Sequence, residues 1–103
     1  RNRFGLGMDS AQAELLLAYL AYEEGALEQA DAYLKDSRTI IAVSRVPADE
    51  ALEARISGLV QLARGDRSGL ATLDRAVTMF EAIGNAAAAA HVRGEIEANA
   101  ERT

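Results

Sequence analysis

The sequence predicts an all-α chain of about five helices, arranged as stacked antiparallel hairpins, and three observations carry that expectation. Strong helix formers dominate, with 22 Ala and a single Pro among 103 residues and few β-branched clusters. Apolar residues recur at three- and four-residue intervals along most of the chain. The third observation is internal repetition: Ala18-Tyr19-Leu20-Ala21-Tyr22-Glu23-Glu24-Gly25-Ala26 returns forty residues later as Gly58-Leu59-Val60-Gln61-Leu62-Ala63-Arg64-Gly65-Asp66. Each stretch sets a small residue seven places before a glycine and is followed by a second amphipathic run, the pattern of a repeated helical hairpin.

The first helix is expected to start at Asp9 or Ser10, whose oxygens can accept from free N–H groups, with Gln12 placed as in a capping box. It ends before Gly25, which can take the left-handed conformation that closes a helix. A second helix carries Leu27, Ala30, Leu34, Ile40 and Ile41 along one face; Ser37 and Ser44 interrupt it, with hydroxyls able to bond the preceding turn. Pro47 stops this helix or opens the third, where its missing N–H costs nothing, and Asp49 and Glu50 suit the positive dipole end. Leu52, Ile56, Leu59 and Ala63 form the third stripe, closed by Gly65. The fourth helix is capped by Asp66 or Ser68 and turns Leu70, Leu73, Val77, Phe80 and Ile83 inward. Gly84-Asn85 supplies a cap for one helix and the N-cap of the next, and a fifth helix from Ala86 carries Val92 and Ile96, with Glu101, Arg102 and Thr103 fraying.

Breakpoints repeat along with the helices. Gly7, Pro47 and Gly84 each precede, by ten or eleven residues, a small residue inside the next helix: Ala18, Gly58 and Gly94. Because a helix-interior Gly costs about 1 kcal/mol relative to Ala, close approach of a neighbouring helix is the simplest reason for Gly58 and Gly94, with coincidence in an Ala- and Gly-rich chain as the competing reading. The organisation that follows is 1–8 as a linker or the tail of a preceding unit, 9–46 as a first unit, 47–84 as a second, and 85–103 as a capping helix or a truncated third unit. In the truncated case an apolar face would remain open for self-association.

Composition narrows function. A net charge of -5 with no basic stripe disfavours direct nucleic-acid contact. The absence of cysteine removes disulfides and thiolate metal sites, and no apolar run nears the roughly 20 residues needed to cross a bilayer. A soluble, cytoplasmic protein is expected, and the Arg excess over Lys beside abundant Ala points to a GC-rich, bacterial source. His91 is the sole histidine, so no two-histidine metal site exists. Glu23 and Glu24, or Glu28 and Asp31, read as solvated surface rather than an acid/base pair, since adjacent residues point to different faces of a helix. Phe4-Gly5-Leu6-Gly7 lacks the strand and third glycine of a dinucleotide loop, and Arg64-Gly65-Asp66 doubles as helix end, cap and next N-cap. No catalytic residue, metal or cofactor is expected.

The stretch Ser57-Gly58-Leu59-Val60-Gln61-Leu62-Ala63-Arg64-Gly65-Asp66, with Ala18, Gly25, Leu27, Ala30 and Leu34 in the first unit, resembles the tetratricopeptide (TPR) repeat. The resemblance covers nearly the whole chain. Units of about forty and then thirty-six residues exceed the family's 34, Glu14 stands where a large aromatic is usual, and Leu70 replaces a small residue. Such stretched units are similar to the degenerate repeats of large bacterial transcription activators, which implies a slice of a longer array. The resemblance implies a concave groove lined by Gln12, Leu15, Tyr19, Tyr22 and Glu23, then Leu52, Arg55, Leu59, Leu62 and Ala63. Core packing is the competing reading for so apolar a set. Tyr19, Tyr22, Glu23 and Arg55 are the partner-binding candidates, because Tyr and Arg are favoured at interface hot spots and Arg can hold a carboxylate bidentately. The Lys and Asn carboxylate clamp of chaperone-binding members is missing, apart from Arg55. The implied function is non-catalytic binding of a protein or peptide, with sensing of a small effector as the alternative.

Overall fold

The computed structural model describes residues 11–101, and these form five α-helices with no strand among them. They are α1 (Gln12–Glu23), α2 (Leu27–Ser44), α3 (Pro47–Ala63), α4 (Gly69–Ala82) and α5 (Ala86–Ala100). Helices α1 and α2 pack as one hairpin and α3 and α4 as a second; α3 also contacts α1 and α2, while α5 packs on α4.

Two turns fix the hairpins by the same chemistry. Gly25 and Gly65 sit at φ +79° and +84°, where a side chain would be strained. At each, the glycine N–H bonds the carbonyl three residues back (Tyr22, Leu62) and the next N–H bonds the carbonyl five back (Ala21, Gln61), at 2.9–3.0 Å. Both patterns satisfy carbonyls that the helix end leaves free, and Gly84 with Asn85 repeats them. Asn85 is also the N-cap of α5, accepting from the Ala88 N–H at 3.0 Å. Pro47 opens α3 rather than stopping α2, which ends instead on Arg45 in the left-handed region at φ 57°.

The core divides into two clusters, and α3 belongs to both. Its Ile56 and Val60 pack with Leu15, Ala18, Ala21, Ala30 and Leu34 of the first hairpin. Its opposite side gives Ala51, Ala54 and Leu59 to a cluster with Leu73, Ala76, Val77, Phe80, Ala89 and Val92. A helix buried on both sides in this way is the middle layer of a stack.

Gly58 and Gly69 explain how closely α3 and α4 approach. A Cβ at Gly69 would lie 2.6 Å from the Gly58 carbonyl oxygen, and one at Gly58 would lie 2.9 Å from Leu73 Cδ2. The expected close contact at Gly58 therefore exists, and the buried Ala18 fills the matching place in α1. Gly94 departs from the expectation: it is exposed and a Cβ there would meet nothing within 4 Å. No described helix lies over that side of α5.

Other expectations need correction. Ala63 is exposed because it lies round the helix from Leu62, the residue of that turn that packs against the second core cluster, and Ile83, 39% exposed, falls past the end of α4 where the chain turns toward Gly84. Ser37 is fully buried and donates to the Leu34 carbonyl at 2.7 Å as expected, whereas the Ser44 hydroxyl has no partner. Ser68 occupies the N-cap of α4 without a side-chain capping bond; its N–H and hydroxyl instead donate to Oδ1 of Asp66 at 3.0 and 2.6 Å, tightening the turn ahead of the helix. For α1 the N-cap is Ala11, and Asp9 and Ser10 lie outside the described residues, as do residues 1–8, Arg102 and Thr103. Asp49, expected only to face the dipole of α3, is 2% exposed and accepts the Ala11 N–H at 3.2 Å, so it anchors the start of α1 to the second hairpin.

Candidate functional site

Helices α1 and α3 are the first members of successive hairpins, and the cleft between them is the concave feature that the groove residues form. It encloses about 390 Å³ and is lined by Gln12, Leu15, Leu16 and Tyr19 from α1 and Leu52, Arg55 and Ile56 from α3. Spacing explains the lining: positions 12, 15, 16 and 19 fall on one side of a helix, as do 52, 55 and 56.

Leu15 and Ile56 are fully buried and form the floor. Tyr19, Leu52 and Arg55 are half-buried and form the walls, with Leu16 at the rim. The Arg55 guanidinium lies 5.1 Å from the centre of the Tyr19 ring, within cation–π range. It is held there by Glu95 of α5: Nε donates to Oε1 at 2.9 Å and Nη2 to Oε2 at 2.5 Å, a forked pair. Both side chains are largely shielded, at 15% and 19% exposure. Hydrogen bonding to Glu95 raises the Arg55 pKa above its ordinary value, against the lowering effect of burial. Arg55 therefore stays charged at the cleft wall. His91 Nε2 stands 3.6 Å from Oε2 of Glu95 on the outer side, and its ring is mostly exposed.

The four partner-binding candidates divide between cleft and flank. Tyr19 and Arg55 line the cleft. Tyr22 stacks one turn along from Tyr19, with ring centres 5.9 Å apart and planes at 37°, and packs against both core clusters outside the cleft lining. Glu23, the last residue of α1, is exposed and also outside the lining. Of the remaining groove residues, Gln12, Leu15 and Leu52 line the cleft, Leu59 belongs to the second core cluster and Leu62 packs against it.

Three participants were not singled out for this site from sequence: Leu16, Ile56 and Glu95. Glu95 carried a signal, being an acid on the side of α5 that buries Val92 and packs Ile96.

Elsewhere, Arg64 pairs with Asp31 and reaches the Leu27 carbonyl at 3.3 Å, while Arg38 meets Glu53 at 2.7 Å. These ties join the two hairpins, so the Arg64-Gly65-Asp66 tripeptide is occupied by structural contacts. Among the described residues no group of three or more His, Asp or Glu converges, and no helix is long and apolar enough to cross a membrane. No protein family model matches the chain, and no curated protein or solved structure matches it either.

Proposed function

We propose that this chain is a TPR-like, stacked helical-hairpin interaction module that holds a protein or peptide partner and performs no chemistry of its own. The observation that supports this most is the α1–α3 cleft, where an apolar floor meets an aromatic ring and an oriented guanidinium. An apolar anchor of the partner fills the space beside Leu52 and Leu16, Tyr19 contributes area at low entropic cost, and the Arg55 fork, set by Glu95, receives a neighbouring carboxylate. Such a ligand competes with Glu95 for the same donors, so binding and the α3–α5 tie are coupled. By its resemblance to degenerate bacterial repeat arrays, the reading extends to a cytoplasmic bacterial transcription regulator in which this segment touches protein and not nucleic acid.

Selection of a random peptide library on the immobilised chain tests the proposal. Selected peptides should carry an apolar residue near an acidic one. Their affinity should fall by about tenfold or more with Tyr19→Ala and with Arg55→Lys, which keeps the charge but loses the fork. Affinity unchanged from wild type in both variants would remove the cleft from the account.

A second reading is favoured by the size of the cleft, since about 390 Å³ lies within the range of small-molecule sites, roughly 300–1,000 Å³. In that reading a small carboxylate effector occupies it and alters the α3–α5 tie. A metabolite panel scored by thermal stabilisation separates the two, because a ligand selective for the folded state raises its stability.

A further inference from the structure

One carboxylate oxygen at the cleft wall serves two basic side chains. Oε2 of Glu95 accepts from Arg55 Nη2 at 2.5 Å and lies 3.6 Å from Nε2 of His91, one turn back on α5. His91 stands three residues before Gly94, as Arg55 stands three before Gly58, so the two hold the same place in the repeat on α5 and α3 and flank one acid. From α1, Tyr19 sets its ring against the guanidinium. Of the charges on α4, which packs against α5, Glu81 pairs with Arg93, while Asp74 and Arg75 are exposed. Arg67, in the turn before α4, reaches the Asn99 carbonyl at 3.3 Å.

The charge state of the imidazole decides what an incoming acid meets. With His91 neutral, the group holds one positive and one negative charge. A carboxylate that takes the Arg55 fork then sets two acids against one guanidinium and strips Glu95, only 19% exposed, of the cation that offsets its burial. With His91 protonated, Glu95 keeps a cation at i,i+4 spacing on its own helix, and Arg55 can be shared with the newcomer.

We infer that His91 is a positioning residue of the cleft and that an acidic peptide is taken up together with a proton, the imidazolium holding Glu95 while the peptide carboxylate occupies the Arg55 fork. The inference rests on the cleft reading above and adds the regulation of that site. Histidine is the side chain that ordinarily changes charge between about pH 5 and 8, so the cleft favours acidic peptides under mildly acid conditions. His91 is the sole histidine of the chain, and the dependence therefore belongs to one residue.

NMR titrations of the isotope-labelled chain with the end-blocked dipeptides Leu-Asp and Leu-Asn, at about pH 8 and about pH 5.5, test this; an aspartate carboxyl, with an ordinary pKa of about 3.9, is ionised at both. Leu-Asp should bind tighter at the lower pH by about threefold or more, the size expected of a partly exposed charge pair, and Leu-Asn equally at both. His91→Gln should abolish the difference for Leu-Asp. Glu95→Gln removes the competing acid, so it should bind Leu-Asp at the higher pH at least as tightly as wild type does at the lower, with no dependence on pH. Circular dichroism verifies that both variants fold. Leu-Asp binding that ignores pH in the wild type, or a pH difference that survives His91→Gln, overturns the inference and leaves the cleft reading standing. A difference of full size that survives Glu95→Gln means that the imidazole acts without Glu95, and overturns it as well. If neither dipeptide shifts the amides of Tyr19 and Arg55, the cleft reading falls and the inference falls with it.

Discussion

Three glycines sit inside or at the start of helices, and replacing each by Ala should give results of opposite sign. At Gly94 the added methyl meets nothing. The change removes the backbone-entropy cost of a helix-interior glycine and should stabilise by about 0.5–1 kcal/mol. At Gly69 the same methyl would lie 2.6 Å from the Gly58 carbonyl oxygen, 2.7 Å from Leu62 Cγ and 3.0 Å from the Leu62 nitrogen. Two of those atoms are backbone, so α3 and α4 must separate, and overpacking of this kind costs about 1–3 kcal/mol. Gly69 is the first residue of α4, where helix propensity offsets little of that loss. Gly58→Ala meets Leu73 at 2.9 Å, a fully buried side chain with little room to withdraw, and should also destabilise. For a domain of this size 1 kcal/mol moves Tm by about 4–8 °C. Thermal melts at a concentration where the chain is monomeric should therefore show Gly94→Ala higher by about 2–8 °C and Gly69→Ala lower by roughly 5–20 °C. Once the helices have been forced apart, the Gly58→Ala, Gly69→Ala double variant should lose less than the sum of the single losses. A Gly69→Ala chain as stable as wild type, or a Gly94→Ala chain less stable, would refute the close-packed α3–α4 contact and the open α5 side together.

Removing the Asp49 carboxylate by Asp49→Ala leaves the buried Ala11 N–H without that acceptor, so stability to urea should fall by about 1–3 kcal/mol, and the first amides of α1 should lose exchange protection. Glu95→Gln should cost about 1–3 kcal/mol by weakening the fork on Arg55. Arg55 has a raised pKa, so its contribution is complete below its ordinary pKa and disappears only as pH rises through the higher folded value; urea titrations should give the same loss at neutral and moderately alkaline pH. The Ser68 hydroxyl, followed by its N–H, holds the Asp66 carboxyl below its usual pKa. The associated stability is present above that usual value and lost as pH falls through the folded one. Ser68→Ala should therefore move the Asp66 NMR titration midpoint upward, and an unmoved midpoint would mean that the hydroxyl plays no part.

Local signals translated well into local structure. The cap glycines and Asn85 behave as their chemistry dictates, because a left-handed turn or an N-cap depends on a few neighbouring residues. Tertiary consequences were harder to read. Gly58 and Gly94 look alike in sequence, yet only the first has a helix against it, and only packing reveals which. Asp49 reads in sequence as an ordinary first-turn acid, and its bond to the Ala11 N–H, 38 residues away, exists only once α1 has packed on α3. Ala63 and Ile83 keep the helical period of their stripes yet stay exposed, since Leu62 takes the packed place in the last turn of α3 and Ile83 falls past the end of α4. At the cleft, the resemblance nominated Tyr19 and Arg55, which lie together. It could not supply Glu95, forty residues from Arg55, because the pairing exists only once α5 has folded onto the second hairpin.

The most direct test of the interaction reading is an amide NMR shift map of the uniformly labelled chain titrated with a peptide selected on it. The account predicts shifts concentrated on Gln12, Leu16, Tyr19, Leu52 and Arg55, with Glu95 moving as its guanidinium partner is shared. Shifts confined to α4, or spread along the outer face of α2 with the cleft unaffected, would contradict it.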